Sequence, residues 1–235
     1  MSGQAVVIGA SGGIGRALVR CLVESDRFDH VHALARRQIE IEGAEAGYID
    51  LDDEESIARA ASVIGPEIGC LIVASGLLHG PGMKPERSLG DLNAEQLTRI
   101  FATNTIGPAL VLKHFAPMTA KDRRVTIALL SARVGSISDN RLGGWYGYRA
   151  SKTALNMIVK CAAIELARSR PQAICVALHP GTVDTKLSKP FQRGVPPHKL
   201  FTAAYSAECL TATLDRLDQS ASGQCFAWDG SLIAR

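Results

Sequence analysis

The sequence predicts an α/β fold in which a doubly wound parallel sheet of about seven strands is flanked by helices. Short runs rich in aliphatic and β-branched residues alternate with longer segments of helical periodicity. Such alternation is typical of parallel βαβ units with right-handed crossovers. A glycine-rich turn directly follows the first run, and no stretch of linker-like composition interrupts the pattern. We therefore predict a single domain over residues 1–235.

Each predicted strand is separated from the next by a helix or a long loop. The strands are expected at residues 4–8, 30–35, 47–49, 69–73, 125–130, 174–178 and 225–228. The helices are expected at residues 13–25, 53–63, 92–118, 147–168 and 202–217. Pro108 and Pro117 should bend or end the helix 92–118, because proline lacks the N–H group of the helix ladder. In the helix 147–168 one apolar face is formed by Leu155, Ile158, Ala162 and Leu166.

The composition is that of an ordinary globular protein, with 46% apolar and 21% charged residues. The formal net charge of +3 offers no basic face for a nucleic acid. No apolar run approaches the length of a membrane span, and the N-terminal run lacks the pattern of a signal peptide. The six cysteines are scattered, without the spacing of a zinc site or a disulfide framework. We predict a cytoplasmic protein with free thiols, no metal site, and no nucleic-acid or membrane partner.

The turn after the first strand reads GASGGIG over residues 9–15. Glycines at this place permit a tight turn and a close approach of the backbone to a pyrophosphate, and the next helix presents free N–H groups. The glycine spacing differs from GxGxxG, so a flexible loop is the alternative interpretation. We interpret the turn as a nucleotide-binding element formed by Gly9, Ser11, Gly12, Gly13, Ile14 and Gly15.

The end of the second strand indicates which dinucleotide is preferred. A site for NAD(H) needs a carboxylate there to bind the ribose 2′-hydroxyl, whereas this strand ends at Ala35 and is followed by Arg36. Arg36 can pair with a 2′-phosphate, so NADP(H) is the preferred cofactor and NAD(H) the alternative. In the other interpretation Arg36 is only a surface charge. Asp50 would bind the adenine amino group, or would cap the next helix together with Asp52 and Asp53.

Tyr148 and Lys152 lie one turn apart on the same side of the predicted helix 147–168. A phenol with a pKa near ~10 is a poor acid or base at neutral pH, and a neighbouring ammonium group lowers that pKa. The pair is therefore a candidate for acid/base chemistry. The alternative is a chance pair on an amphipathic helix edge.

Four motifs together resemble the short-chain dehydrogenase/reductases, in their order and in their rough spacing. They are GASGGIG, Asn104 in NTIGP, YRASK at residues 148–152 and PGTVDT at residues 180–185. The match runs essentially from end to end. Within that family the segments at residues 131–152 and 179–196 look most similar to the bacterial C-factor branch, which is related to the sniffer-type carbonyl reductases. The resemblance implies a Rossmann-type fold that binds NAD(P).

The resemblance also implies roles for individual residues. Tyr148 would protonate the substrate oxygen, and Lys152 would lower the pKa of Tyr148 and bind the nicotinamide ribose. Asn104 would hold a water that links Lys152 to solvent. A helix after Thr185 would act as a mobile lid over the substrate. Apart from the glycine-rich turn and Arg36, the implied cofactor contacts are Asp50, Leu51, Ala74, Ser75, Gly76, Tyr148, Lys152, Pro180, Gly181, Val183 and Thr185.

Two positions depart from the family pattern. Ala74 replaces an asparagine that usually braces the sheet beneath the adenine. At the end of the fifth strand Ala132 stands where the family has its catalytic serine, and Ser131 comes one residue early, where strand geometry points it to the opposite face. A local bulge would re-aim Ser131, and Ser136 or Ser138 are the alternatives. We name Ser131 as the candidate.

We predict an NADP(H)-dependent oxidoreductase that moves a hydride between the nicotinamide and a small carbonyl or alcohol. The alternative is a cofactor-binding regulatory protein with little or no turnover, suggested by Ala132 and by the signalling role associated with the C-factor branch.

Arg133 and Arg149 either attract an acidic substrate or, as we favour, are surface charges, and His179 is expected to be a packing residue. A homodimer or homotetramer is expected in this family. The candidate contacts between its subunits are Leu110, Phe115, Leu155 and Ile158. The alternative is that these apolar side chains pack inside the core of one subunit.

Overall fold

The computed structural model describes residues 3–234, and its helices and strands follow the predicted order. The strands are β1 (Gln4–Ile8), β2 (His30–Ala35), β3 (Glu45–Tyr48), β4 (Ile68–Val73), β5 (Val125–Leu130), β6 (Ala173–His179), β7 (Thr182–Val183), β8 (Leu200–Phe201) and β9 (Cys225–Ala227). The α-helices are α1 (Gly13–Glu24), α2 (Glu54–Ile64), α3 (Ala94–Phe101), α4 (Gly107–Phe115), α5 (Tyr146–Ser169) and α6 (Ala203–Arg216).

Seven parallel strands form the main sheet in the order β3-β2-β1-β4-β5-β6-β9, which confirms the predicted fold class. The strand order reverses between β1 and β4, so the loops after these strands diverge and leave a crevice at their carboxyl ends. A second, two-stranded sheet pairs β7 with β8. The sequence did not predict β7 and β8, because two residues are too few to show a periodicity.

Helices cover both faces of the sheet and enclose two apolar cores. On one face α1 and α6 pack together, and on the other face α2, α4 and α5 cover the strands. In the middle of α5, the buried residues lie one position after those predicted to form its apolar face. Val159 and Ala163 are buried beside Leu155 and Leu166, whereas Ile158 and Ala162 are only partly covered. Leu155 and Leu166 were therefore predicted correctly, and the middle of the stripe was wrong.

The predicted helix 92–118 is interrupted by one turn of π-helix at Ala102–Ile106, between α3 and α4. Gly107 N donates to Ala102 O, five residues back, which inserts one extra residue into the helix ladder. Pro108 follows at the start of α4, where its missing N–H group costs no hydrogen bond. This π-helical turn carries Asn104, and its Thr103 lines the crevice.

All six cysteines are free thiols, with Cys70 and Cys175 buried and Cys161 exposed. Within residues 3–234 no helix is both long enough and apolar enough to cross a membrane.

Candidate active site

Two neighbouring clefts open at the carboxyl ends of the central strands. The first cleft has a volume of about 420 Å³. It is lined by Ile8, Gly9, Ser11, Gly12, Ala35, Arg36, Arg37, Ile49, Asp50, Leu51, Asp52, Ala74, Ser75, Gly76 and Thr103. The predicted glycine-rich turn, the predicted ribose residue Arg36 and the segment after β4 thus come together in one cleft.

The glycine-rich turn has a geometry that larger residues could not adopt. Gly9 has φ +87°, in the left-handed region, and a Cβ on it would lie 2.9 Å from the backbone of Ala74. A Cβ on Gly15 would collide with the carbonyl oxygen of Gly9. The amino end of α1 follows with Gly12 as its N-cap and no side-chain cap, so its first N–H groups face the cleft without an internal partner. This arrangement favours a bound phosphate.

At the ribose end of the cleft Arg36 lies among carboxylates. Its guanidinium is 3.4 Å from Asp52 and 3.7 Å from Asp50. The cap of α2 is Asp53, whose side chain accepts from Glu55 N at 3.0 Å, so among the three predicted acids Asp53 is the cap. Asp50 instead accepts from Asp52 N at 3.1 Å. Arg36 would thus be shared between these carboxylates and a 2′-phosphate.

The first cleft contains a polar group that a ligand would satisfy. The Ser75 hydroxyl is buried and has no hydrogen-bond partner among the described residues. A buried hydroxyl without a partner costs about 1 to 3 kcal/mol. Together with the glycine turn and the open end of α1, this hydroxyl shows that the residues present fit a dinucleotide.

The second cleft has a volume of about 490 Å³ and contains Tyr148. Most of its lining is apolar or aromatic, and the charged groups are three arginines and Asp139. Predicted cofactor residues on its wall are Ile14, Pro180, Gly181, Val183 and Thr185. Gly13 lines neither cleft, but a Cβ on it would lie 3.0 Å from Thr185 Cγ2, so it sits where the two clefts meet.

Tyr148 and Lys152 are brought together at the floor of this site by the first turns of α5. Tyr148 is 8% exposed and Lys152 is 2% exposed. Lys152 Nζ lies 6.0 Å from the centre of the Tyr148 ring and donates to Leu130 O at 2.8 Å. A Cβ on Gly76 would lie 3.9 Å from Lys152 Nζ, so the loop after β4 reaches the same point. Lys152 lines neither cleft, but it lies between Tyr148 of the second cleft and Gly76 of the first.

The pKa of Tyr148 does not move as the sequence predicted. Burial raises it from 10.0 to about 12, whereas the Tyr148/Lys152 pair was expected to lower it. Burial also lowers the pKa of Lys152 from 10.5 to about 8. In the protein alone desolvation therefore outweighs the attraction between phenolate and ammonium. At neutral pH Tyr148 carries its proton and Lys152 is mostly charged.

Replacing Lys152 by Met should stabilise the fold at neutral pH. Because the pKa of Lys152 is lowered on folding, its charge destabilises the folded state fully below pH about 8, and this penalty fades as the pH rises through 10.5. Methionine fills a similar volume without a charge, although Leu130 O loses a donor. We expect Lys152→Met to raise the free energy of unfolding by about 1 to 2 kcal/mol at pH 7 in urea titrations. A gain that stays constant up to about pH 10 would contradict this account.

Asn104 is fully buried, and its side chain braces the site. Its Oδ1 accepts from Leu77 N at 2.7 Å, and its Nδ2 donates to Leu77 O at 2.8 Å and to Ser151 Oγ at 3.1 Å. Asn104 therefore ties the loop after β4 to α5. Its predicted role in holding a water stays a prediction.

The structure separates Ser131 from Ala132 as strand geometry predicts. Ser131 also lines the second cleft, but its hydroxyl donates to Asn156 Oδ1 at 2.7 Å, on the face covered by α5. Ala132 packs in a small cluster with Tyr148 and Leu78. Ser136 lines neither cleft, and its Oγ accepts from Asp139 N at 3.1 Å. Thus the position beside Tyr148 carries a methyl group.

Two supporting residues were not found from the sequence. Asn156 lies one turn beyond Lys152, so the helical spacing that pairs Tyr148 with Lys152 already places it on the same face. Glu86 is a buried carboxylate that accepts from Gly147 N at 3.2 Å and from Gln96 Nε2 at 3.1 Å. It holds the amino end of α5, but it is 61 positions away from Gly147 and nothing local indicates the contact.

The prediction of a lid helix after Thr185 is wrong. Residues 186–199 contain only two short 3₁₀ turns, Lys189–Phe191 and Pro197–Lys199. Pro190, Gly194 and the pair Pro196–Pro197 explain the difference, because they disfavour a continuous α-helix. The segment still covers the second cleft, with Leu187, Ser188, Phe191 and Val195 on its wall.

Known proteins share the sequence pattern and the fold of this chain. The family described as short chain dehydrogenase matches residues 4–195. A 1-hydroxy-2-glutathionyl-2-methyl-3-butene dehydrogenase of Rhodococcus sp. is 30% identical and covers 97% of both chains. The C-signal protein of Myxococcus xanthus is 32% identical over 62% of this chain and 82% of its own. The NADPH-bound carbonyl reductase from chicken fatty liver superimposes with a TM-score of 0.85, at 26% identity over all of both chains.

Proposed function

Because the chain belongs to the short-chain dehydrogenase family of oxidoreductases, we propose that it is an NADP(H)-dependent reductase of a small carbonyl compound. One observation carries the proposal. Tyr148 lines a cleft that adjoins the glycine-rich cleft, and Lys152 is buried beside Tyr148, with its Nζ 6.0 Å from the centre of the tyrosine ring. The NADPH-bound carbonyl reductase with the same fold supports the choice of cofactor.

Tyr148 is the proposed general acid. With a pKa of about 12 it is protonated at neutral pH, which is the state needed to donate a proton to a carbonyl oxygen. Lys152 places a positive charge beside the ring and stabilises the phenolate that remains after the transfer. The dinucleotide, when bound in the first cleft, supplies the hydride. In the reverse direction the Tyr148 phenolate takes up the proton of an alcohol.

The first experiment is a titration of the purified protein with NADPH and NADH. We expect NADPH to bind more tightly, because the Arg36 guanidinium can pair with its 2′-phosphate. Arg36→Ala should weaken NADPH binding about tenfold and leave NADH binding unchanged. Arg59, which lies on α2 outside both clefts, provides a matched control as Arg59→Ala. Equal affinity of the wild type for both dinucleotides would contradict the NADP(H) preference. The reaction itself is tested separately, by measuring NADPH oxidation with a panel of carbonyl compounds.

A second candidate function is a cofactor-binding regulatory protein with little turnover. The specific observation in its favour is the site itself, where Ala132 lies beside Tyr148 and the Ser131 hydroxyl is engaged by Asn156. The likeness to the C-signal protein supports it. This function predicts tight dinucleotide binding without turnover of any carbonyl compound. Tyr148-dependent turnover would argue against it.

We also propose a homodimer formed through the outer side of α5. A groove of about 920 Å³ runs beside this helix, and several exposed apolar side chains surround it, including Ile137 at 73% and Met157 at 64% exposure. Phe115 and Leu155, two of the predicted contact residues, instead belong to the core. Light scattering at micromolar concentration should show a dimer that Met157→Asp weakens. A monodisperse wild-type monomer would end the proposal.

A further inference from the structure

The second cleft combines an apolar floor with a basic mouth. Its described lining contains Arg133, Arg141 and Arg149, and Asp139 as the acidic residue. Arg133 Nη1 lies 3.1 Å from Asp139, so one of the three positive charges is paired. The lining therefore carries an excess of two positive charges. The side chains that lie nearer Tyr148, such as Trp145 and Leu78, are apolar.

The three arginines differ in how firmly they are held. Arg149 is fixed by backbone carbonyls, because its Nε donates to Gly143 O and Gly144 O and its Nη1 donates to Val134 O. It therefore acts mainly as a scaffold for the loop before α5. Arg133 has a half-exposed side chain, and Arg141 is exposed with only Nη1 bonded to carbonyls of its own loop. These two guanidinium groups keep donors for a ligand.

The segment that covers the cleft adds to the same charge. Residues 186–199 contain four lysines and arginines and no carboxylate, and Lys189 pairs with Asp184 at 3.5 Å. The whole chain has a formal charge of only +3, so this concentration at one opening is local. A cleft surrounded by charges of one sign attracts ligands of the opposite sign and speeds their association. Tyr148, by contrast, lies at the inner end of the cleft and is almost completely buried.

Resting on the proposed reductase function, we propose that the substrate is a carbonyl compound that carries a carboxylate. Arg133 and Arg141 bind the carboxylate at the mouth of the cleft, and the apolar part of the substrate lies against Trp145 and Phe191. The carbonyl group is thereby directed inward to Tyr148. The planar guanidinium group suits this task because it binds carboxylates with two parallel hydrogen bonds.

This recognition requires Arg133 to exchange or share its contact with Asp139. The cost is small, because Arg133 and Asp139 are both solvent-accessible and such exposed pairs contribute little to stability. A substrate carboxylate replaces the contact that Arg133 makes with Asp139 and adds a second charge-assisted contact with Arg141, which the structure pairs only with carbonyls of its own loop. The ligand therefore contacts two guanidinium groups, whereas Asp139 pairs with one of them.

The test compares 4-formylbenzoate with its methyl ester, methyl 4-formylbenzoate, as substrates with NADPH. The two share the aldehyde and the ring, and the ester is the more electrophilic, so intrinsic reactivity works against the expected result. We expect kcat/KM for the acid to exceed that for the ester by about tenfold or more. In the double variant Arg133→Gln/Arg141→Gln the ratio should fall to near unity, through KM for the acid. Arg20, exposed on α1 and outside both clefts, supplies the control Arg20→Gln, which should keep the ratio.

Binding is measured separately in the Tyr148→Phe variant, by quenching of tryptophan fluorescence on addition of each compound. Turnover of both compounds with equal kcat/KM in the wild type would overturn the carboxylate inference and leave the reductase proposal standing. Arginine-dependent binding of the acid with no turnover would overturn the reductase proposal and support carboxylate recognition. If there is neither turnover nor arginine-dependent binding, both are wrong.

Discussion

Tyr148→Phe is expected to reduce carbonyl turnover about a thousandfold while NADPH binds with nearly unchanged affinity. The substitution removes one oxygen atom from a buried ring and leaves the packing of the ring against Leu78 and Trp145 in place. Without the hydroxyl, no side chain is placed to protonate the substrate oxygen, because Lys152 does not line the second cleft and the Ser131 hydroxyl donates to Asn156. The rate is measured as NADPH oxidation, and the affinity by titration.

The neighbouring tyrosine provides the matched control. Tyr146 lies on the same first turn of α5 but lines neither cleft, so Tyr146→Phe should leave both kcat and NADPH affinity unchanged. If Tyr148→Phe retained the wild-type rate, the assignment of Tyr148 as the general acid would be wrong. If the wild type itself bound NADPH but turned over no carbonyl compound, the regulatory function would be favoured.

Ala132→Ser should raise the turnover of a carbonyl substrate by between about tenfold and a hundredfold. A hydrogen-bond donor aimed at the reacting oxygen contributes about 10²–10³ in kcat where it has been removed from other enzymes, and a donor introduced by substitution recovers part of this. Ala132 lines the second cleft, is extended at φ −151° and ψ 148°, and packs beside Tyr148. A serine there requires no backbone change, and its hydroxyl is placed at the floor of the cleft.

Two further variants separate the added hydroxyl from other effects. Ala132→Cys adds an atom of similar position with only a weak donor, so it should not reproduce the gain. Ser131→Ala removes the hydrogen bond to Asn156 and should change kcat little if Ser131 only supports α5. A selective loss of kcat in Ser131→Ala, with unchanged NADPH affinity, would instead identify Ser131 as a catalytic residue. No gain in Ala132→Ser would show that substrate orientation does not depend on this position.

Much of the architecture could be predicted because its determinants are local. The alternation of apolar runs and helical segments predicted the seven strands of the main sheet, and strand parity predicted that Ser131 and Ala132 point apart. The glycine spacing at residues 9–15 predicted a tight turn, which the positive φ of Gly9 bears out. The prediction of a helix after Thr185 was wrong, because Pro190, Gly194, Pro196 and Pro197 disfavour a continuous helix in a segment that still covers the cleft.

The fold class, the glycine-rich turn, and the spacing that places Tyr148 and Lys152 on one side of a helix could all be predicted from the amino-acid sequence. These three properties depend mainly on residues that lie close together along the chain. Three features instead depend on the folded chain: the upward shift of the Tyr148 pKa, the contact of Glu86 with Gly147, and the position of Arg133 and Arg141 at one cleft. Burial and electrostatic environment depend on which distant segments pack around a group, and that packing exists only once the chain has folded.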